Sequence, residues 1–162
     1  MVKNLYLVRH AIAENTSGVD FDRRLTAEGE RLARHLGRWL DEHKIEMDKV
    51  YTSPAARALT TADLITEPRG MSGMVEEVEE LYEASVRTFL QTVNRVSESL
   101  SHVFFVGHNP TITYLAEFIS GNGVDNMEPG SMVHLKIERL EWAHLGEKSG
   151  EFVKYLSPGE IS

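Results

Sequence analysis

The chain has 162 residues, 41% of them hydrophobic and 26% charged. That is ordinary globular sequence of one-domain size, and it excludes intrinsic disorder and collagen. Lys and Arg number 17 against 25 Asp and Glu, a formal net charge of −8, which argues against sequence-independent nucleic-acid binding through basic side chains. Cysteine is absent, so disulfides, thiolate nucleophiles and Cys-ligated metal sites are excluded. The same absence fits a reducing cytosol, and a cytoplasmic location is the expectation. No run of about 18 apolar residues is present, so no transmembrane helix is expected. Met1 to Asn4 lead straight into a strand-like run, unlike a signal peptide.

Strands and helices alternate along the chain. Leu5-Tyr6-Leu7-Val8 reads as a buried strand ending at Arg9-His10. Residues 14–25 are polar and read as a loop. Thr26 is the expected N-cap of a helix over 27–43, with Glu28 and Glu30 favourable in its first turn. Leu32, Leu36, Trp39, Leu40 and His43 recur there at helical spacing. Residues 49–52 read as a second strand. Pro54 marks the start of a second helix over 55–65. Pro68, Gly70 and Gly73 break the chain before a weak strand at 74–78. Val86, Phe89, Leu90, Val93 and Leu100 point to a third helix. His102 to Val106 is the strongest strand, followed by Gly107-His108-Asn109-Pro110 and a fourth helix to about Ile119. Residues 121–130 read as a loop, and 131–137, 140–145 and 151–156 as short strands. Four β–α units with a β tail predict a single α/β domain over 1–162, three-layered, with a mostly parallel sheet.

In such folds ligands bind beyond the carboxyl ends of the strands. Arg9-His10 and His108 fall at two such ends, and Arg57 near the start of the second helix can face the same crevice. Together they predict an anion pocket, because guanidinium groups match phosphate oxygens bidentately. Each residue taken alone has an ordinary reading. Arg9 is equally an ion pair at a strand end, and a lone histidine is more often a half-buried structural residue. His35, His43, His102, His134 and His144 lack the HExxH spacing of a zinc helix. Glu76, Glu77, Glu79 and Glu80 read as a solvated face.

Leu7-Val8-Arg9-His10-Ala11 resembles the Arg-His-Gly signature of the histidine phosphatase superfamily. Asp22 to Thr26 with Gly29, the segment Ser53-Pro54-Ala55-Ala56-Arg57-Ala58 with Thr61-Ala62, Leu81 to Ser85, and Val106 to Pro110 resemble further motifs of that family in the same order. Leu81 to Ser85 and Val106 to Pro110 are similar to the compact, SixA-like phosphohistidine phosphatase branch. The resemblance spans residues 5 to about 118. Ala11 replaces the usual glycine, Arg24 a common proline and Thr60 a common glutamine.

The resemblance implies a phosphoglycerate mutase-like fold with His10 as nucleophile. It implies Arg9, Arg57 and His108 as phosphoryl ligands, and no metal or other cofactor. Glu83 is the carboxyl group that sequence position favours as general acid, with Glu80 behind it. A site without a strong acid suits a P–N bond better than an alkyl ester, because imidazole has a conjugate acid of pKa near 6.5 and leaves readily. The expected substrate is therefore phosphohistidine on a partner protein such as a phosphotransfer domain. The alternatives are a small phosphate ester or another phosphoramidate, or a non-catalytic phosphoryl-binding module. Only a short segment separates Thr61 from Glu80, which leaves little chain for a lid and predicts an open site.

Overall fold

The structure is a computed structural model and describes residues 1–16 and 18–161. Strands β1 (Val2–Arg9), β2 (Lys49–Thr52), β3 (Val75–Glu77), β4 (His102–Gly107), β5 (Met132–Glu138) and β6 (Glu151–Leu156) form one sheet. Their order is β3-β2-β4-β1-β5-β6. The pairs β3–β2, β2–β4 and β4–β1 are parallel, and β1–β5 and β5–β6 antiparallel. Helices α1 (Ala27–Glu42), α2 (Ala56–Thr66), α3 (Val86–Asn94), α4 (Thr111–Ser120) and the single turn α5 (Pro158–Ile161) complete the fold.

Side-chain alternation along β1 builds two cores. Tyr6 and Val8 face α1 and α2 with Leu36, Leu40 and Ile65. Leu5 and Leu7 face the opposite layer with Phe89, Ile112 and Leu115 of α3 and α4. This is the period-two geometry of a strand covered on both faces. The expected three-layer arrangement is present, with its mostly parallel sheet.

Thr26 caps α1 as expected, its hydroxyl accepting from the Gly29 N–H at 2.9 Å. Gly29 is required there by contact. A Cβ at this position would sit 2.1 Å from the Ile12 carbonyl oxygen. α1 therefore presses directly on the chain leaving β1.

Three local expectations are corrected. α3 ends at Asn94, so Leu100 is not on it. Arg95 closes the helix, and the Ser97 hydroxyl turns the chain by accepting from the Ser99 N–H. Residues 140–145 are not a strand but carry a 3₁₀ turn over Trp142–His144. The fully buried Trp142 draws this segment off the sheet. Its N–H donates to Glu98 Oε2 at 2.7 Å and its indole Nε1 to the Leu100 carbonyl at 2.9 Å. The loop over 14–25 also contains more structure than expected, a 3₁₀ turn at Asp20–Asp22 and a bridge between Ala13 and Leu25.

Candidate active site

Three neighbouring strands deliver the site. In β2, β4 and β1, Thr52 opposes Val106 and Arg9 opposes Gly107. The chain continues this pairing one residue further. Ser53 N–H donates to the Val106 carbonyl and His10 N–H to the Gly107 carbonyl, both at 3.1 Å. His10, Ser53 and His108 thus leave the sheet together at its carboxyl edge.

His10 Nδ1 lies 2.8 Å from the carbonyl oxygen of Ala11. A carbonyl only accepts, so Nδ1 carries the proton and Nε2 is left with its lone pair. Burial pushes the imidazole pKa down to about 3; the Ala11 carbonyl opposes this, and His108, Arg57 and Arg9 add to it. His10 is therefore neutral near pH 7.

The His108 ring centroid lies 5.2 Å from that of His10. Its Nε2 is 2.7 Å from Ser53 Oγ, which itself accepts from the Ala55 N–H at 3.2 Å. Among the described residues the Ser53 hydroxyl proton has no other acceptor, which assigns it to Nε2 and the His108 proton to Nδ1. That Nδ1 is buried without a partner. Burial, then the charge on Arg57, lowers the His108 pKa to about 4. One imidazole thus offers a lone pair and the other an unused N–H.

Both arginines converge on the pair. Arg9 donates from Nη1 to the Met127 carbonyl at 2.7 Å, and its Nε has no partner. Arg57 stands on the first turn of α2 with its side chain 8% exposed. Its Nη1 donates to the Asp20 carbonyl at 2.8 Å and its Nη2 to the Asp20 carboxylate at 3.1 Å, while Nε is again unpartnered. The expected quartet Arg9, His10, Arg57 and His108 is thus brought together, with both arginines close enough to lower the pKa of both imidazoles. Its buried donors without a partner, Arg9 Nε, Arg57 Nε and His108 Nδ1, are of the type that suits an oxyanion.

Sequence reasoning gave no role to Asp20, Ser53, Thr61 or Tyr82. The Tyr82 hydroxyl donates to Asp20 Oδ2 at 2.8 Å. Its ring stands edge-on to His108 and to Phe21. Asp20 also accepts from Arg23 at 3.0 Å. Tyr82, Arg23 and Arg57 together hold the Asp20 carboxyl well below the usual carboxylate range. Thr61 Oγ1 accepts from the Ala11 N–H at 3.1 Å and donates to the Arg57 carbonyl at 2.8 Å, tying the His10 loop to α2. Ser53, Thr61 and Tyr82 each stood within a motif, Tyr82 beside the candidate Glu83, whereas Asp20 stood in none.

Glu83 is not drawn into this network. It is exposed, with φ of +57°, and among the described residues it makes no hydrogen bond or ion pair. No group of three or more His, Cys, Asp or Glu side chains among the described residues is placed to hold a metal ion. No helix among them is long and apolar enough to cross a membrane.

The sequence profile of the histidine phosphatase superfamily (branch 1) matches residues 5–91. The chain belongs to the histidine phosphatase superfamily. An uncharacterised protein from Mycobacterium leprae is 30% identical, covering 93% of this chain and 99% of its own. The phosphohistidine phosphatase SixA of Escherichia coli K12 is 28% identical over 72% of this chain and 74% of its own. A solved structure of the protein histidine phosphatase SixA complexed with tungstate superposes with a TM-score of 0.85 at 22% identity, covering 98% of this chain and 99% of that one. Phosphoglycerate mutase from Bacillus anthracis shares the fold, with a TM-score of 0.77 at 16% identity over 99% of this chain and 95% of its own. The superfamily's fold is thus the fold described above.

Proposed function

We propose that the protein is a metal-independent phosphatase that passes phosphoryl groups through His10 and acts on phosphohistidine in a partner protein. One observation carries this reading. His10 is buried and neutral, with its proton fixed on Nδ1 by the Ala11 carbonyl, so Nε2 is ready to attack.

In the proposed reaction His10 Nε2 forms a bond to phosphorus as the leaving group departs with its electron pair. Water then breaks the N–P bond and releases inorganic phosphate. Arg9 and Arg57 neutralise the phosphoryl oxygens in a loose transition state, and the His108 Nδ1–H donates a hydrogen bond to them. The two guanidinium groups supply the charge that a metal supplies elsewhere.

The substrate class follows from the acids at hand. Asp20 is held ionised by Tyr82, Arg23 and Arg57, so it is a poor proton donor. Glu83, one residue beyond Tyr82, is the group we propose as general acid, and none of the described residues holds it by a hydrogen bond or ion pair. A leaving group that needs little protonation suits this arrangement, and an imidazole is one. The kinship with the E. coli phosphohistidine phosphatase supports the same class.

The test is turnover of a phosphohistidine protein by wild type and His10→Ala, with EDTA present, beside an alkyl phosphate at equal concentration. Loss of phosphohistidine with wild type alone, and slow ester hydrolysis, is the expected result. Full activity in His10→Ala overturns the mechanism, and dominant ester hydrolysis overturns the substrate.

A further inference from the structure

The loop between α4 and β5, residues 121–131, carries the carbonyl that holds Arg9. Several of its amides are held by side chains rather than by a strand ladder. Val124 N–H donates to Glu117 Oε2 at 2.8 Å and Glu128 N–H to the Tyr155 hydroxyl at 3.0 Å. Between them, Met127 N–H donates to Thr113 Oγ1 at 3.1 Å. Thr113 sits on α4 with 4% of its surface exposed. Its hydroxyl donates onward to Asn109 Oδ1 at 2.5 Å. The amide of Asn109 then donates to the side-chain oxygen of Asn126, the residue before Met127.

The main chain at Met127 is thus held on both sides of its own peptide. Its N–H goes to Thr113 and its carbonyl to Arg9 Nη1. Asn109, the residue after His108, closes the circuit through Asn126. Thr113 uses its one proton and an acceptor position here, so a methyl group in place of its hydroxyl breaks two bonds at once. We infer that Thr113, acting with Asn109 through the Met127 peptide, is a positioning residue that sets the guanidinium of Arg9 for phosphoryl binding. The inference rests on the proposed role of Arg9. The physical logic is economical. Arg9 has one anchored end and an unpartnered Nε, so the aim of the whole group follows the place of a single carbonyl oxygen.

The experiment is a double-mutant cycle read by the inhibition constant of inorganic phosphate and by kcat and KM for phosphohistidine. Thr113→Val preserves shape and removes the hydroxyl, whereas Thr113→Ser retains it. We expect Thr113→Val to weaken phosphate about tenfold and Thr113→Ser to stay within about twofold of wild type, a tenfold change being 1.4 kcal/mol. In an Arg9→Ala background, Thr113→Val should add nothing. The buried Met127 side chain keeps the loop seated in these variants. Should Thr113→Val fail to fold, Asn109→Ala removes the acceptor of the Thr113 hydroxyl and takes its place in the cycle. An unchanged phosphate constant in the folded variant overturns the inference, as does an equal loss with and without Arg9. Wild-type phosphate affinity and turnover in Arg9→Ala would instead bring down the reading of the site itself.

Discussion

The rings of His10 and His108 lie 5.2 Å apart at their centroids and are tilted by 56°, and each is fixed through its other nitrogen by a different element. The Ala11 carbonyl holds the proton of His10 in place, and the Ser53 hydroxyl fills the lone pair of His108. Two neutral imidazoles thereby take opposite roles. Ser53→Ala removes the group that selects the His108 tautomer. We expect turnover to fall about fivefold, since a lost neutral hydrogen bond is worth about 1 kcal/mol. Steady-state kinetics with nitrogen NMR of the histidine rings checks both the rate and the tautomer.

Burial holds the pKa of His10 at about 3 and that of His108 at about 4. Both lie below the 6.5 of a free imidazole, so activity should persist into acid. Corrected for substrate ionisation, the acid limb of kcat/KM should fall below about pH 5 rather than near 6.5. A limb at 6.5 would show that the free enzyme's nucleophile titrates normally.

The same depression links stability to pH. Folded His10 and His108 resist protonation that the unfolded chain accepts, so their contribution is complete above about pH 6.5 and is lost as pH falls toward 4 and 3. Urea midpoints at neutral pH and at about pH 4.5 should differ in that direction. The difference should shrink in His10→Ala.

Arg57 makes two directed bonds from its terminal nitrogens to Asp20. Lysine keeps the charge but not this fork. Arg57→Lys should lower kcat/KM by roughly 10²–10³, the effect of losing one preorganised donor. Retention of near wild-type kcat/KM would remove Arg57 from the phosphoryl site.

Glu83→Gln separates leaving groups. If Glu83 donates a proton, alkyl phosphate hydrolysis should drop about 10²-fold or more, while phosphohistidine turnover changes little. Parallel kinetics on the two substrates decides this, and equal effects would end the assignment.

Gly29→Ala tests the contact between α1 and the chain leaving β1. A new methyl group 2.1 Å from the Ile12 carbonyl forces the helix outward. The expected loss is about 3 kcal/mol of stability, measured by urea unfolding.

The parts legible in the sequence were those with a local period or a strand end. β4 is a run of apolar residues, and α1 repeats its buried face at helical spacing with a threonine cap. Arg9 ends a strand, His10 and His108 follow strands directly, and Arg57 lies in the first turn of a helix, so topology alone brought them together. Asp20, Ser53, Thr61 and Tyr82 reach their partners across 37 to 62 residues of chain, or 50 and 55 for the two hydroxyls. No local pattern marks such bonds. The segment 140–145 alternates like a strand, yet Trp142 finds its hydrogen-bond partners near the end of α3 instead of on the sheet. Glu83 satisfied the motif position, but its side chain is left in solvent.

The position of β1 has a consequence for biosynthesis. This strand lies inside the sheet, with Leu5 paired to Val103 on one side and Leu135 on the other. Its neighbours are translated about a hundred and about a hundred and thirty residues downstream. Until they emerge from the ribosome, the segment preceding His10 has two bare edges, and such distant pairings make for slow closure. The Gly130 N–H, shared at 3.1 Å between the Arg9 and His10 carbonyls, also arrives late. The imidazole we propose as nucleophile is thus made early and oriented only when the final third of the chain has been added, so a stalled nascent chain carries His10 without the pairing that aims it.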